Sequence, residues 1–359
     1  QWTPGVTDNW EPVAAKTFAR FFHQIAHSAT GDVMILGGIS SGVRPVHVEM
    51  LHRESPEATN AARVVAHWQE PSPSSAKNRQ GRFVSASWLW AFGGNNSTGQ
   101  HDFKPDNFLT EAYRFSLAGM SWRPFNALPQ ARQSIAAITV TDGSRTLAVG
   151  GFGHDGEFAR TFAHGFAYDH RSGEWSELGV VLPEPRSQFA LVEHNGTLWA
   201  LGGLDYDSTR EQGDQFRHLT NVVAADLDSA DIRFQNTGIE LPGPRRAFGG
   251  VKLDNTFYLV GGMRENFTIV EDSFAFDLDT QQFTEITSPS RPRLSPSVVA
   301  LNGKLFMAGG SSPSESGSGF EANPSMEMYD PSTDRWTTVM DQIPVTPRHV
   351  RVATYRGRI

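Results

Sequence analysis

The sequence predicts an all-β fold assembled from repeated four-stranded antiparallel units, and three observations carry that expectation. A short apolar run ends in two adjacent glycines six times: VMILGG at 33–38, LWAFGG at 89–94, LAVGG at 147–151, LWALGG at 198–203, FYLVGG at 257–262 and LFMAGG at 305–310. The first glycines of these pairs recur every 48 to 59 residues, and self-similarity at a period near 50 marks a repeat array. Hairpin-type turn signals precede the glycine pairs, as DG at 142–143 and NG at 195–196 and 302–303. A further apolar segment ending in Asp follows, as FAYD at 166–169, AAD at 224–226, FAFD at 274–277 and MEMYD at 326–330.

The elements of one unit then fall in order. An arginine opens each: Arg20, Arg82, Arg132, Arg186, Arg246 and Arg293. A first strand, a tight turn and a second strand lead to the glycines, which allow backbone conformations closed to residues with a Cβ. A polar loop and a third strand ending near Asp169, Asp277 or Asp330 come next, these aspartates being read as turn formers. The fourth strand carries an aromatic: Trp122, Trp175, Phe234, Phe283 or Trp336, with Trp68 serving the first unit.

This order of apolar strand, Gly-Gly, Tyr-Asp and Trp resembles the kelch repeat over essentially the whole chain, with Phe replacing Trp in the fourth and fifth units. The resemblance implies a β-propeller, in which four-stranded blades stand radially around a channel and the aromatics pack between neighbours. Approximate blades span 17–76, 77–127, 128–181, 182–241, 242–288 and 289–345. The segment PRHVRVATYRGRI at 347–359 reads as a further first strand, opened by Arg348, and NWEPV at 9–13 as an orphan fourth strand with Trp10. The expectation is therefore one domain, 1–359, of seven blades, the last closed by 346–359 pairing with 1–16; six blades is the alternative. Such closure removes exposed sheet edges.

Composition narrows function. The 359 residues carry a formal charge of −8, which argues against nucleic-acid binding. No apolar run approaches the roughly 18 residues that cross a bilayer as a helix. The absence of cysteine removes thiolate chemistry, including the tyrosine–cysteine copper site of galactose-oxidase-type kelch propellers. It also fits a secreted protein, so an extracellular or periplasmic location is expected.

Antiparallel pairing puts the start of strand one and the end of strand two at one end of each blade, together with the loop joining strands two and three. Those loops are long and polar at 95–106, 152–157, 204–218, 263–266 and 311–319, the last read as flexible. The candidate ligand-binding residues are an arginine collar of Arg20, Arg82, Arg132, Arg186, Arg246, Arg293 and Arg348, with His101, His154, Asp155, Asp205, Asp207 and Arg264 on the loops. Guanidinium groups bind carboxylates bidentately, so an anionic protein or glycan is the expected ligand. The competing reading has each arginine pairing with a neighbouring Asp or capping backbone carbonyls. The cluster Asp205, Asp207, Glu211, Asp214 and His218 is rich in oxygen ligands, which leaves Ca²⁺ or another divalent metal open, but no metal-site spacing stands out and no cofactor is expected. The function favoured is a non-catalytic binding module. The alternative is an enzyme acting on an acidic sugar, by likeness to kelch-type sialic-acid mutarotases, with Glu157 or Glu211 as acid/base.

Overall fold

Six four-stranded antiparallel sheets, each ordered first to fourth strand, repeat along the described part of the chain. The computed structural model describes residues 88–97, 102–116, 121–140, 142–229, 231–317, 319–343 and 352, and the backbone of strands 24–27, 33–36, 47–51, 63–67 and 81–85. The first two sheets are Gln24–His27, Val33–Leu36, His47–Leu51 and Arg63–His67, then Gly81–Ser85, Trp88–Phe92, Ala112–Ser116 and Ser121–Phe125. The third and fourth are Ala136–Thr139, Arg145–Val149, His164–Asp169 and Trp175–Val180, then Ala190–His194, Thr197–Leu201, Asn221–Asp226 and Gln235–Glu240. The fifth and sixth are Gly249–Leu253, Thr256–Val260, Ser273–Asp277 and Gln282–Ile286, then Ser297–Leu301, Lys304–Ala308, Met326–Asp330 and Arg335–Met340. First strands of successive sheets meet, Gly81–Ser85 against Ala136–Thr139 and Gly249–Leu253 against Ser297–Leu301 among them. The sheets are thus the blades of a β-propeller, with first strands innermost.

The second strands are apolar without alternation because both of their faces are covered. In the fourth blade Leu198 and Ala200 pack with Leu147 and Val149 of the third, while Trp199 and Leu201 pack with Phe257, Leu259 and Phe276 of the fifth. A period of two that would normally separate core from solvent here separates one neighbour from the other. Asn195 and Gly196, at φ 50° and 78°, and Asn302 and Gly303, at 50° and 71°, make the two-residue turns that match strand twist.

The glycine pairs and the arginines form one hydrogen-bonded relay between blades. The amide of the second glycine donates to the carbonyl of the next blade's arginine: Gly94 to Arg132 at 2.8 Å, Gly151 to Arg186 at 3.0 Å, Gly203 to Arg245 at 2.8 Å and Gly262 to Arg293 at 2.9 Å. Each arginine side chain then turns into its own blade. Arg132 Nη1 donates to the carbonyl of Gly150 at 2.9 Å, Arg186 Nη1 to that of Gly202 at 2.9 Å, and Arg293 Nη1 to that of Gly309 at 3.3 Å. The same nitrogens reach the start of the third strand at His164, Asn221 and Ser325. Arg245 makes the corresponding bond to Asp272, through both its carbonyl and its carboxylate. Gly202 sits at φ 65°, and a Cβ there would lie 2.8 Å from the Arg245 carbonyl, so both conformation and space demand glycine.

The fourth-strand tryptophans add an outer tie. Trp175 Nε1 donates to the carbonyl of Asn126 at 2.8 Å, and Trp336 Nε1 to that of Thr287 at 2.7 Å, each reaching the preceding blade. Phe234 and Phe283 keep the apolar contact without this bond. Asp169, Asp277 and Asp330 accept two-residues-on amides from Arg171, Asp279 and Ser332, as turn formers do.

Removing an arginine clamp strands buried carbonyls, so Arg186→Ala is expected to cost roughly 2–5 kcal/mol, read as a lower denaturant midpoint. Trp175→Phe, which loses a single bond, is expected to cost about 1 kcal/mol in the same measurement.

Candidate interaction face

The segments after the glycine pairs do not run as loose loops; they build a second tier of short strands above the blades. The arginine segment leaves a backbone edge that these residues can pair with. Phe152–His154 lies between Arg132–Gln133 and Ala159–Thr161, and Leu204–Tyr206 pairs with Phe216–His218. Met263 bridges Arg246 and Ile269. The segment 311–319, expected to be flexible, instead contributes Ser311–Pro313 to a hairpin with Phe320–Ala322, and Ser311 bridges Leu294.

The tier carries an aromatic series across four blades. Phe103 and Phe108 lie 5.1 and 5.5 Å from Phe152, Phe152 lies 5.6 Å from Tyr206, and Tyr206 lies 4.8 Å from Phe216. The Arg246 guanidinium carbon is 5.8 Å from the Phe216 ring and 5.9 Å from that of Phe267. Phe216 and Phe267 are 42% and 62% exposed, which sets the end of the series in solvent. Exposed aromatics on a broad polar tier are a recognition feature of protein interfaces.

The expected arginine collar is corrected by burial. Arg132, Arg186 and Arg293 are fully buried, their donors directed at backbone carbonyls and at Gln130, Asn221 and Glu327 side chains. Burial pushes each guanidinium below its ordinary pKa, and the carbonyls compensate for part of the lost hydration. Arg246 is not in this series: the relay runs through Arg245, one residue earlier, since it is the Arg245 carbonyl that accepts from Gly203. Arg82 is described only as backbone, in strand Gly81–Ser85 opposite Ala91. Arg20, His101 and Arg348, with Trp10 and Trp68, lie outside the described residues.

The remaining candidates are largely occupied with one another. His154 bonds the carbonyl of Phe103 at 3.1 Å and packs on Phe108. Arg160 pairs with Asp155 at 3.0 Å and with Asp207 at 3.7 Å, tying the third-blade tier to the fourth. Amides of Phe158 and Glu157 hold the Asp155 carboxyl below its usual range. Asp205 is buried, which removes it from any ligand-facing role, and it accepts from Arg210 and Thr161. Asp214 pairs with Arg217 at 2.6 Å, so the acidic stretch at 205–218 is divided among internal arginines. Among the described residues no three His, Asp or Glu side chains gather around a common point. Glu157, Glu211 and Arg264 are exposed. Glu157 and Glu211 stand outside the buried arginines that an acidic-sugar site would need.

Sequence reasoning did not single out Arg245 or Phe267. The doublet Arg245-Arg246 hid the register, and Phe267 follows a loop only a few residues long, where the unusual Phe was the available signal.

These features define a kelch-type propeller with an aromatic loop face. The chain belongs to the kelch-repeat family: residues 83–310 and 140–358 match the family described as KLHDC2/KLHL20/DRC7 Kelch-repeats domain. It is 28% identical to alpha-scruin of Limulus polyphemus over 65% of this chain and 24% of that protein. It is 24% identical to Kelch-like protein 25 of Xenopus tropicalis over 48% of this chain and 26% of that protein, and 25% identical to human Kelch-like protein 15 over 54% and 32%. The chain thus spans a quarter to a third of the length of these relatives. The structure titled YjhT superposes with a TM-score of 0.60 at 14% identity, covering 77% of this chain and 86% of that one, which bears on the fold alone.

At the face's edge, Arg246 Nε lies 3.0 Å from His218 Nε2, and His218 Nδ1 lies 3.4 Å from a Glu265 oxygen. Burial first, and Arg246 second, push the His218 pKa below the ordinary imidazole value. An unfolded chain then takes up the proton before the folded one as pH falls, so this group's stabilisation is complete above about pH 6.5 and declines below it. The denaturation midpoint of the wild type is expected to fall more between pH 7.5 and 5.5 than that of His218→Gln; parallel curves would contradict the assignment.

Proposed function

We propose that this chain is a non-catalytic protein-interaction module that docks a partner on the tier face. The observation that carries the reading is the aromatic series from Phe103 to Phe216 and Phe267, ending in side chains exposed beside Arg246. Membership of the kelch-repeat family supports it. The opposite end, built from two-residue turns such as Asp254–Asn255 and Asn302–Gly303, offers little to recognise. The reading extends to a single propeller of seven blades over 1–359. The Val352 amide donates to Ser297 Oγ at 3.0 Å and its side chain joins the sixth-blade core, which supports a closing blade beginning in that segment.

Affinity capture from a lysate of the source organism tests the docking face. Captured proteins are expected to be retained by the turn-end variant Asp228→Ser/Thr280→Ala and lost by Phe216→Ser/Phe267→Ser. Equal capture by both variants would overturn the reading.

A further inference from the structure

We propose that Arg246 is a carboxylate-binding fork, and that the partner segment presents an acidic residue beside an apolar side chain. The inference rests on the tier being the docking face and names the chemistry of what docks there.

Arg246 differs from the relay arginines and from Arg160, Arg210 and Arg217 of the tier in what its terminal nitrogens do. Those of Arg132, Arg186, Arg245 and Arg293 are spent on carbonyls and side chains inside the blades. Those of Arg210 and Arg217 are on aspartates, and Arg160 pairs with two. Among the described residues the side chain of Arg246, which is half-buried, bonds through Nε alone, so the edge carrying its two Nη groups has no internal partner there. No carboxylate among the described residues pairs with it, and none pairs with Arg264, which follows Met263, the residue that Arg246 bridges.

The fork is held before any partner arrives. A guanidinium N–H can only donate, so the Nε contact requires an acceptor lone pair on His218 Nε2 and places the imidazole proton on Nδ1, on the Glu265 side. The rings of Phe216 and Phe267 flank the guanidinium from the fourth and fifth blades. An arginine whose rotamers are already fixed by a hydrogen bond and two ring faces loses little freedom on binding, and its planar edge matches a carboxylate bidentately. Flanking phenylalanines at 42% and 62% exposure offer apolar contact a few ångströms from that edge, which calls for an apolar neighbour to the acid. His218 is a positioning residue here.

The test is selection of a displayed library of random twelve-residue peptides on the intact chain, followed by fluorescence polarisation of the selected peptides. Wild-type selection is expected to enrich Asp or Glu beside Leu, Phe or Trp, and Asp→Asn or Glu→Gln in such a peptide to weaken binding about tenfold. Arg246→Gln is expected to abolish the acidic preference while leaving the apolar one, and Arg246→Lys to restore only part of it. Circular dichroism and melting controls confirm that the variants fold. Enrichment that needs Phe216 and Phe267 but has no acidic preference, or one that survives Arg246→Gln, would overturn the fork and leave the docking face standing. No enrichment over Phe216→Ser/Phe267→Ser would overturn the fork as well, and the lysate capture separately decides the docking reading.

Discussion

The interaction on which the rest depends is the buried guanidinium that joins one blade to the next. Each relay arginine presents its carbonyl to the previous blade's second glycine and its side chain to the start of its own blade's third strand, and Arg132, Arg186 and Arg293 also reach their own blade's first glycine. One residue therefore fixes both the angle between blades and the end of the second strand. A charge taken wholly out of water is costly unless its donors are engaged, and here backbone carbonyls supply most of the acceptors for the terminal nitrogens, while Nε of Arg132, Arg186 and Arg245 is left without a bond. The same packing explains why the strand must end in two glycines: the arginine carbonyl of the next blade occupies the space a Cβ would need at the first, and a carbonyl of the blade's own first segment, such as that of Ser187 beside Gly203, occupies it at the second.

Function follows from what this frame leaves over. Arginines that looked like a ligand collar are consumed internally, so recognition passes to the tier built on the same edge. There the aromatic series runs from blade to blade, and aspartates at 155, 205, 207 and 214 neutralise the tier's own arginines. Arg246 escapes both fates because it stands one residue out of the relay's register. Its position beside Phe216 and Phe267 follows directly from the Arg245 carbonyl having already taken the bond to Gly203.

The architecture was legible in the sequence because propeller blades repeat a local pattern. Apolar runs, Asn-Gly turns and Gly-Gly stops each reflect a backbone demand that only a few residue types meet, and the positive φ of Asn195, Gly196 and Gly202 shows those demands. The site was less legible because it depends on contacts between units. Whether Arg186 faces ligand or carbonyl is decided by Gly202 and Asn221, and the choice between Arg245 and Arg246 by a glycine some forty residues upstream. The pairing of 311–313 with 320–322 was hidden for a related reason: a serine- and glycine-rich stretch carries no strand signal, and its order comes from the Leu294 edge beside it.

Native-state hydrogen exchange at the relay glycines tests this account most directly. The amides of Gly151, Gly203 and Gly262, each bonded to an arginine carbonyl of the next blade, should exchange only through global unfolding, while the hairpin amide of Gly143, bonded within its own turn, exchanges through local opening. Exchange of the relay amides as fast as that of Gly143 would show that the blades are held together by something other than the buried arginines.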